Sequence, residues 1–224
     1  GSDLHKLEIK VRDLFVCSRP DTHYLLEVDY SQAELRLVAE YSRDVNLYGA
    51  FLNGRDPHAE LAVRIYHPTR VSEMEHSLFD PRSLVTKDQR QNGKTANFSL
   101  LYGKYPQNFA VENGLALSEA IHIHKVYWET YTGIQSWKRE ELSKAYKNGG
   151  EFITYFGRRR RIKKLFSDNE FYRGEAEREG LNGLIQAQAS DYTLFSTLKV
   201  LKIAKERSYD VKTISFVHDS VVYE

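Results

Sequence analysis

The chain has 224 residues and a mass of 26.1 kDa, of which 41% are hydrophobic, 28% charged and 12% aromatic. This balance is typical of a folded globular protein and excludes disorder over the whole length. Lys and Arg number 32 against 31 Asp and Glu, so the net charge of +1 does not by itself indicate a nucleic-acid ligand. Cys17 is the only cysteine, which excludes an internal disulfide. No apolar run is long enough to span a bilayer. We therefore expect no membrane partner and an intracellular location: cytoplasm, host cytoplasm for a viral protein, or an organelle.

The first predicted element is a short strand at 24–30 that runs directly into a helix at 31–42. Ser31 and Glu34 have the spacing of a capping box, which predicts that this helix starts at Ser31. Asp29 falls at the junction of the strand and the helix. Junctions of this kind expose a side chain on a rigid base, and chemistry is commonly found there.

A second helix is predicted from Thr86 to Tyr102, with Thr86 and Gln89 as a capping box and Gly103 as its C-terminal stop. Residues at four-residue spacing on this helix form a row of two cations and two aromatic rings: Arg90, Lys94, Phe98 and Tyr102. The cations could bind a polyphosphate and the rings could stack on a base or a sugar. The alternative is an amphipathic surface helix with a few exposed cations.

Residues 116–147 are predicted as one or two helices broken near Gly133, followed by a strand at 151–156. The densest basic run of the chain comes next, with Arg158, Arg159, Arg160, Arg161, Lys163 and Lys164. It could neutralise phosphates, with Tyr155 and Phe156 as stacking surfaces, or it could be a solvated surface turn. A long helix is then predicted at 169–205. It carries a polar stripe of Arg178, Asn182 and Gln186. These residue types suit contacts with minor-groove acceptors and phosphates, and the alternative is a solvated face.

The last predicted element is a hairpin of two strands, 213–217 and 220–224, whose tip presents His218 and Asp219. Asp29 and Asp219 would each sit at a strand end. Two carboxylates from separate strands can hold a pair of divalent cations, and oxygen ligands suit Mg²⁺. The alternative for each Asp is a role in turn geometry alone.

Three motifs in chain order resemble those of A-family DNA polymerases, the group of bacterial DNA polymerase I, its phage relatives and mitochondrial replicases. The segment 29–36 (DYSQAELR) resembles their first palm motif, 90–103 (RQNGKTANFSLLYG) their fingers-helix motif, and 216–219 (FVHD) their third, metal-binding motif. The segments 56–58, 156–160 and 182–191 also match in order. The resemblance covers the chain from about Leu14 to Glu224.

The resemblance implies an α+β fold, in which a polymerase palm made of an antiparallel sheet with helices carries a mostly helical fingers subdomain. It implies a first palm part at 3–58, fingers at 59–150 with the nucleotide-binding helix 86–103, and the end of the fingers and second palm part at 151–224 with the hairpin 213–224. It also implies DNA-directed synthesis, in which deoxynucleoside monophosphates pass from dNTPs to a primer 3′-hydroxyl by two-metal phosphoryl transfer. The implied partners are dNTPs and primer-template DNA.

The resemblance also implies the roles of individual residues. Asp29 and Asp219 would bind two Mg²⁺ ions with help from the Tyr30 carbonyl, and Mn²⁺ would be able to substitute. Lys94 would be catalytic together with the two aspartates. The implied nucleotide-binding residues are Gln32, Glu34, His58, Arg90, Lys94, Phe98 and Tyr102, with Glu34 as the steric gate against ribonucleotides. The implied DNA-binding residues are Arg178, Asn182, Gln186, His218, Arg158, Arg159 and Arg160.

The chain departs from the family pattern at several points. Ser220 stands where the family usually has Glu, which removes one negative charge near the metals, and Ala33 replaces a larger aliphatic residue. No thumb and no exonuclease segment is recognised, so missing parts of a larger polymerase are further expected partners. Two other functions stay open from the sequence. One is a truncated fragment that binds primer-template or nucleotide with weak or no catalysis, and the other is a nuclease that uses the same carboxylate pair.

Overall fold

The computed structural model describes residues 15–75, 79–217 and 219–224. Its helices, numbered in chain order, are α1 (Ala33–Ser42), α2 (Val45–Leu52), α3 (Pro57–Tyr66), α4 (Lys87–Leu101), α5 (Pro106–Asn113), α6 (Leu117–Thr130), α7 (Thr132–Lys147) and α8 (Glu170–Glu206). Its strands are β1 (Leu26–Asp29), β2 (Glu151–Ile153), β3 (Arg159–Arg161), β4 (Thr213–Val217) and β5 (Ser220–Tyr223). Short 3₁₀ helices lie at Pro68–Glu75, Pro81–Leu84 and Lys163–Phe166. In the part of the chain covered by these ranges, no helix is long and apolar enough to cross a membrane.

The chain forms two compact units. The sheet unit contains the described residues of 1–34, 154–158 and 185–224, and the helical unit contains those of 35–153 and 159–184. Helix α8 contributes its first part to the helical unit and its second part to the sheet unit. The three segments expected from the sequence, 3–58, 59–150 and 151–224, stay a prediction.

The sheet unit is built on an antiparallel sheet with the strand order β1-β5-β4. Strands β4 and β5 form the predicted hairpin, in which Val217 pairs with Ser220 across a two-residue turn. Asp29 at the end of β1 pairs with Ser220 at the start of β5. The register therefore brings the end of β1 beside the tip of the hairpin.

The helical unit is organised around α3 and α4, which pack closely because Gly93 of α4 faces the backbone of α3. Its interior is apolar and includes Leu47, Leu61, Leu100, Leu101, Ile123, Tyr127 and Ile134. Strands β2 and β3 form a separate two-stranded ribbon, whose Phe152 joins a second small core with Ile162, Leu165 and Leu181.

Most of the elements expected from the sequence are confirmed, and one helix start is not. Helix α4 has the predicted capping box of Thr86 and Gln89, and Gly103 ends it with a φ of +79°. The predicted start of the first helix at Ser31 is wrong. Gln32 has a φ of +58°, which lies in the left-handed region and cannot continue into a right-handed helix, so α1 begins at Ala33.

Candidate active site

One group of candidate residues is the pair of aspartates in the sheet unit. Asp29 ends β1, and Asp219 lies in the turn between β4 and β5. The Tyr30 amide donates to the Asp219 carbonyl at 3.4 Å, which ties the residue after β1 to this turn. The two carboxylates are close enough to share a hydrogen bond. The structure therefore brings together the two side chains that the sequence singled out.

The aspartate pair is electrostatically unfavourable without a cation. Asp29 is exposed, but partial loss of hydration raises its pKa above the ordinary value, and the negative charges of Asp219 and Glu27 raise this pKa further. A bound cation would relieve this repulsion, because it favours the ionised form of both side chains. Among the described residues, however, no three His, Cys, Asp or Glu side chains converge closely enough to hold a metal ion by themselves.

Three further predicted residues follow Asp29 directly in the sheet unit. The Tyr30 hydroxyl donates to the Ser196 hydroxyl of α8, which holds its side chain against this helix. Gln32 is partly buried, and its side-chain carbonyl has no hydrogen-bond partner in the described part of the chain. Glu34 lies in the first turn of α1 and is also partly buried.

A second, separate group of candidate residues lies in the helical unit, where Arg90 of α4 is held by Asp56. Asp56 caps the N-terminus of α3 by accepting from the backbone amides of His58 and Ala59 at 2.9 and 3.1 Å. Its other carboxylate oxygen accepts from Arg90 Nε at 2.6 Å. Burial raises the pKa of Asp56, but the Arg90 hydrogen bond and the Ala59 amide lower it by more, so the net shift is downward. Lys94, one turn further along α4, is exposed.

His58 is close enough to Arg90 and Lys94 for their charges to act on it, and it is only 1% exposed. Its Nδ1 is 3.0 Å from the side-chain nitrogen of Asn97, so Nδ1 is the acceptor and the proton of the neutral ring belongs on Nε2. Nε2 itself has no hydrogen-bond partner among the described residues. Burial lowers the pKa of His58 to about 4, and the charges of Arg90 and Lys94 act in the same direction. His58 is therefore neutral at pH 7.

The low pKa of His58 predicts an acid-sensitive fold. Between pH 6.5, its ordinary pKa, and about 4, its pKa in the folded chain, only the unfolded chain binds this proton. The free energy of unfolding should therefore fall by up to about 3 kcal/mol as the pH falls through this window. Urea unfolding of the wild type and His58→Gln between pH 4 and 7 measures the effect, and the variant should lose this part of the slope. Equal slopes in both proteins would contradict the assignment.

The aromatic residues of α4 lie at its C-terminal end. Phe98 and Tyr102 line a cavity of about 480 Å³ together with Tyr105, Phe171 and Arg178. Arg178 donates to the Tyr105 hydroxyl at 3.1 Å and lies over its ring at 5.3 Å from the centroid. The cavity therefore combines aromatic surfaces with a guanidinium group, which suits a flat, polar ligand.

Two neighbouring helices hold the end of α4 through its backbone carbonyls. The Asn182 side chain of α8 donates to the Tyr102 carbonyl at 3.4 Å. Lys138 of α7 donates to the Leu101 carbonyl and lies 5.2 Å from the centroid of the Trp128 ring. These contacts fix the turn that carries Tyr102, because carbonyls at a helix C-terminus otherwise lack intrahelical partners.

The basic run is largely paired with carboxylates. In the sheet unit, Arg158 pairs with Asp191 of α8. In the helical unit, Arg159 and Arg161 pair with Glu151, and Arg160 pairs with Glu179 at 2.6 Å. Their side chains remain about half exposed or more, so phosphate binding by Arg158, Arg159 and Arg160 stays a prediction. Gln186 is exposed on α8, and His218 lies outside the described residues.

Three residues next to the candidate site were not assigned a role from the sequence: Glu27, Asp56 and Lys138. Asp56 precedes a proline at the first position of a helix, which is a recognisable N-cap signal, but its pairing with Arg90 bridges 34 positions of the chain. Glu27 and Lys138 carry no local signal. Their neighbours are set by strand register and helix packing.

Most of this chain shares the fold of part of a solved DNA polymerase domain. A solved structure described as the polymerase domain of Pol1 from M. smegmatis in complex with DNA primer-template and dNTP superposes with a TM-score of 0.77 and is 30% identical. The match covers 89% of this chain and 33% of that chain. The expectation of an α+β polymerase fold is thereby confirmed.

The sequence relationship is as extensive as the structural one. The family model described as DNA polymerase family A matches residues 4–224, so the chain belongs to that family. DNA polymerase I of Streptococcus pneumoniae serotype 4 is 33% identical over 96% of this chain, and that of Bacillus subtilis strain 168 is 31% identical over 96%. This chain spans only 23% of the length of each of these two relatives.

Proposed function

We propose that the chain is the palm-and-fingers part of a DNA-directed DNA polymerase that transfers deoxynucleoside monophosphates from dNTPs to a primer 3′-hydroxyl. The observation that carries this proposal is the pair Asp29 and Asp219, which lie together at the strand ends of the sheet unit in a chain of polymerase family A. The partners in this proposal are primer-template DNA, dNTPs and the remaining segments of a larger polymerase.

The aspartate pair fits a divalent cation site. Asp29 and Asp219 would hold Mg²⁺, or Mn²⁺ in its place, with the Tyr30 carbonyl as a further oxygen ligand, and the repulsion between the carboxylates supports this assignment. When bound, a pair of such cations lowers the pKa of an attacking hydroxyl and neutralises a departing pyrophosphate. Substrate phosphates would complete the set of ligands.

Residues of the helical unit would bind and orient the nucleotide. Arg90 would contact the triphosphate through the forked N–H groups of its guanidinium. The Lys94 ammonium would act as a point charge and could donate a proton to the departing pyrophosphate. Neutral His58 has an Nε2 proton without a partner among the described residues, which suits a phosphate oxygen once the ring becomes accessible. Phe98 and Tyr102 would stack against the base and the sugar, in keeping with the cavity that they line.

The DNA contacts would come from the remaining predicted residues. Arg178, Asn182 and Gln186 of α8 are polar and lie partly or fully exposed, which suits hydrogen bonds to the primer-template. His218 and the basic residues 158–160 are proposed as additional contacts. These interactions would position the duplex, while selection of the base would come from pairing with the template.

Primer extension tests this proposal. The purified chain is incubated with a labelled primer-template, Mg²⁺ and dNTPs, and its DNA binding is measured in parallel by fluorescence anisotropy. Template-dependent lengthening of the primer is expected. Binding without extension would favour the second candidate, a fragment that binds primer-template without catalysis. Shortening of the primer without dNTPs would indicate a nuclease.

The proposed steric gate predicts a change in sugar selectivity. If the Glu34 carboxylate excludes the ribose 2′-hydroxyl, Glu34→Ala should raise the incorporation of ribonucleotides relative to deoxynucleotides by about 100-fold, the range for loss of a steric or polar rejection of one hydroxyl. The measurement is the ratio of kcat/KM for a matched rNTP and dNTP. Glu40→Ala, on the same helix α1, is the control. An unchanged ratio in Glu34→Ala would count against the gate.

A further inference from the structure

Position 220 is the most informative departure of this chain within the candidate site. Ser220 is the first residue of β5 and is 5% exposed. Its hydroxyl oxygen is 3.0 Å from the Val217 carbonyl and 3.1 Å from a carboxylate oxygen of Glu27. The residue directly after Asp219 is thus uncharged, but it is in hydrogen-bond contact with an acidic side chain from another strand.

Strand register explains how Glu27 reaches this position. Asp29 pairs with Ser220, and Glu27 pairs with Val222 two residues further along β5. Residues two apart on a strand and residues directly opposite each other share one face of a sheet, so Glu27, Asp29 and Ser220 lie on the same face. The negative charge of Glu27 acts on the Asp29 carboxyl, as that of Asp219 does. The carboxylates of Glu27 and Asp219 therefore both act on that of Asp29 at this part of the sheet.

We propose that Glu27 supplies the third negative charge of the cation site from strand β1, in place of an acidic residue at position 220. The proposal rests on the assignment of Asp29 and Asp219 as the cation-binding pair. Glu27 acts on the cation through its charge and not as a ligand, since the described His, Cys, Asp and Glu side chains do not converge as a group of three ligands. Its contact with Ser220 holds the Glu27 carboxylate on the face of the sheet that carries Asp29.

The size of the effect follows from Coulomb attraction. A unit charge about 8 Å from a divalent cation in an environment close to water changes the affinity roughly fivefold. Salt would screen the effect, since the Debye length at 0.15 M ionic strength is also about 8 Å. The contribution of Glu27 should thus be measurable at low salt and should shrink as the salt concentration rises.

Binding of Mn²⁺ to the full chain tests the proposal without an assay of catalysis. The free Mn²⁺ concentration is followed by electron paramagnetic resonance in the wild type, Glu27→Gln and Glu206→Gln. Glu206 ends α8 and is exposed, so its replacement removes the same charge from the surface of the sheet unit. We expect roughly fivefold weaker binding in Glu27→Gln at low salt and wild-type binding in Glu206→Gln. Equal affinities in the two variants would overturn the proposal.

A second variant asks whether positions 27 and 220 are interchangeable. The double variant Glu27→Gln/Ser220→Glu moves the carboxylate from β1 to β5, and we expect it to regain the lost affinity. Circular dichroism establishes that this variant is folded, because Ser220 is buried. A folded double variant that still binds Mn²⁺ as weakly as Glu27→Gln would contradict the proposal that Glu27 takes the place of an acidic residue at position 220. Absence of Mn²⁺ binding by the wild type would instead refute the proposed cation site itself.

Discussion

Replacing Asp219 with asparagine is expected to reduce primer extension roughly 100- to 1000-fold, because loss of one carboxylate from a cation pair removes several kcal/mol of transition-state stabilisation. The same change should leave the fold at least as stable as the wild type. The Asp219 carboxylate lies beside that of Asp29, and their repulsion raises the pKa of Asp29, so a neutral amide removes an unfavourable interaction. Activity and stability should thus change in opposite directions.

Single-turnover primer extension with Mg²⁺ and thermal unfolding without metal are the two measurements. Asp21→Asn is the matched control, since Asp21 is an exposed aspartate of the sheet unit outside the strands. It should change neither activity nor melting temperature. A variant at Asp219 that lost both activity and stability would mean that the residue serves the turn of the hairpin and not a cation.

The largest loss of stability is expected from Gly93→Ala. A Cβ at this position would lie 2.2 Å from the backbone carbonyl oxygen of His58 and 3.2 Å from the Cβ of Ala62. Alanine favours a helix over glycine by about 1 kcal/mol, but separation of α3 and α4 outweighs this gain because the obstructing atom belongs to a backbone. We expect a net loss of at least about 2 kcal/mol in the free energy of unfolding.

Gly49→Ala provides the matched control for this prediction. Gly49 lies within α2, and a Cβ there would meet nothing within 4 Å. The helix propensity of alanine then acts alone, and the variant should be more stable than the wild type by up to about 1 kcal/mol. Urea unfolding of both variants measures the difference. Stabilisation by Gly93→Ala would show that α3 and α4 are not packed as closely as described.

The elements that depend on neighbouring residues could be predicted from the amino-acid sequence. The capping box of Thr86 and Gln89 predicted the start of α4, Gly103 predicted its end, and the β4–β5 hairpin was predicted from two strands around a two-residue turn. In each case the hydrogen bonds and backbone angles involve residues a few positions apart. The motifs that contain Asp29, Arg90 and Asp219 also indicated the family from the sequence alone, because each is recognised from the residues and their spacing along the chain.

The contacts between distant residues could not be predicted in this way, because they depend on how the whole chain folds. The start of α1 depends on the positive φ of Gln32, which a capping-box pattern does not reveal. The contact of Ser220 with Glu27 follows from the register of β1 against β5, and the pairing of Arg90 with Asp56 follows from the close packing of α3 on α4. These two contacts join residues that are 193 and 34 positions apart in the chain. They therefore depend on which side chains the fold brings together, and the conformational preferences of neighbouring residues do not reveal them.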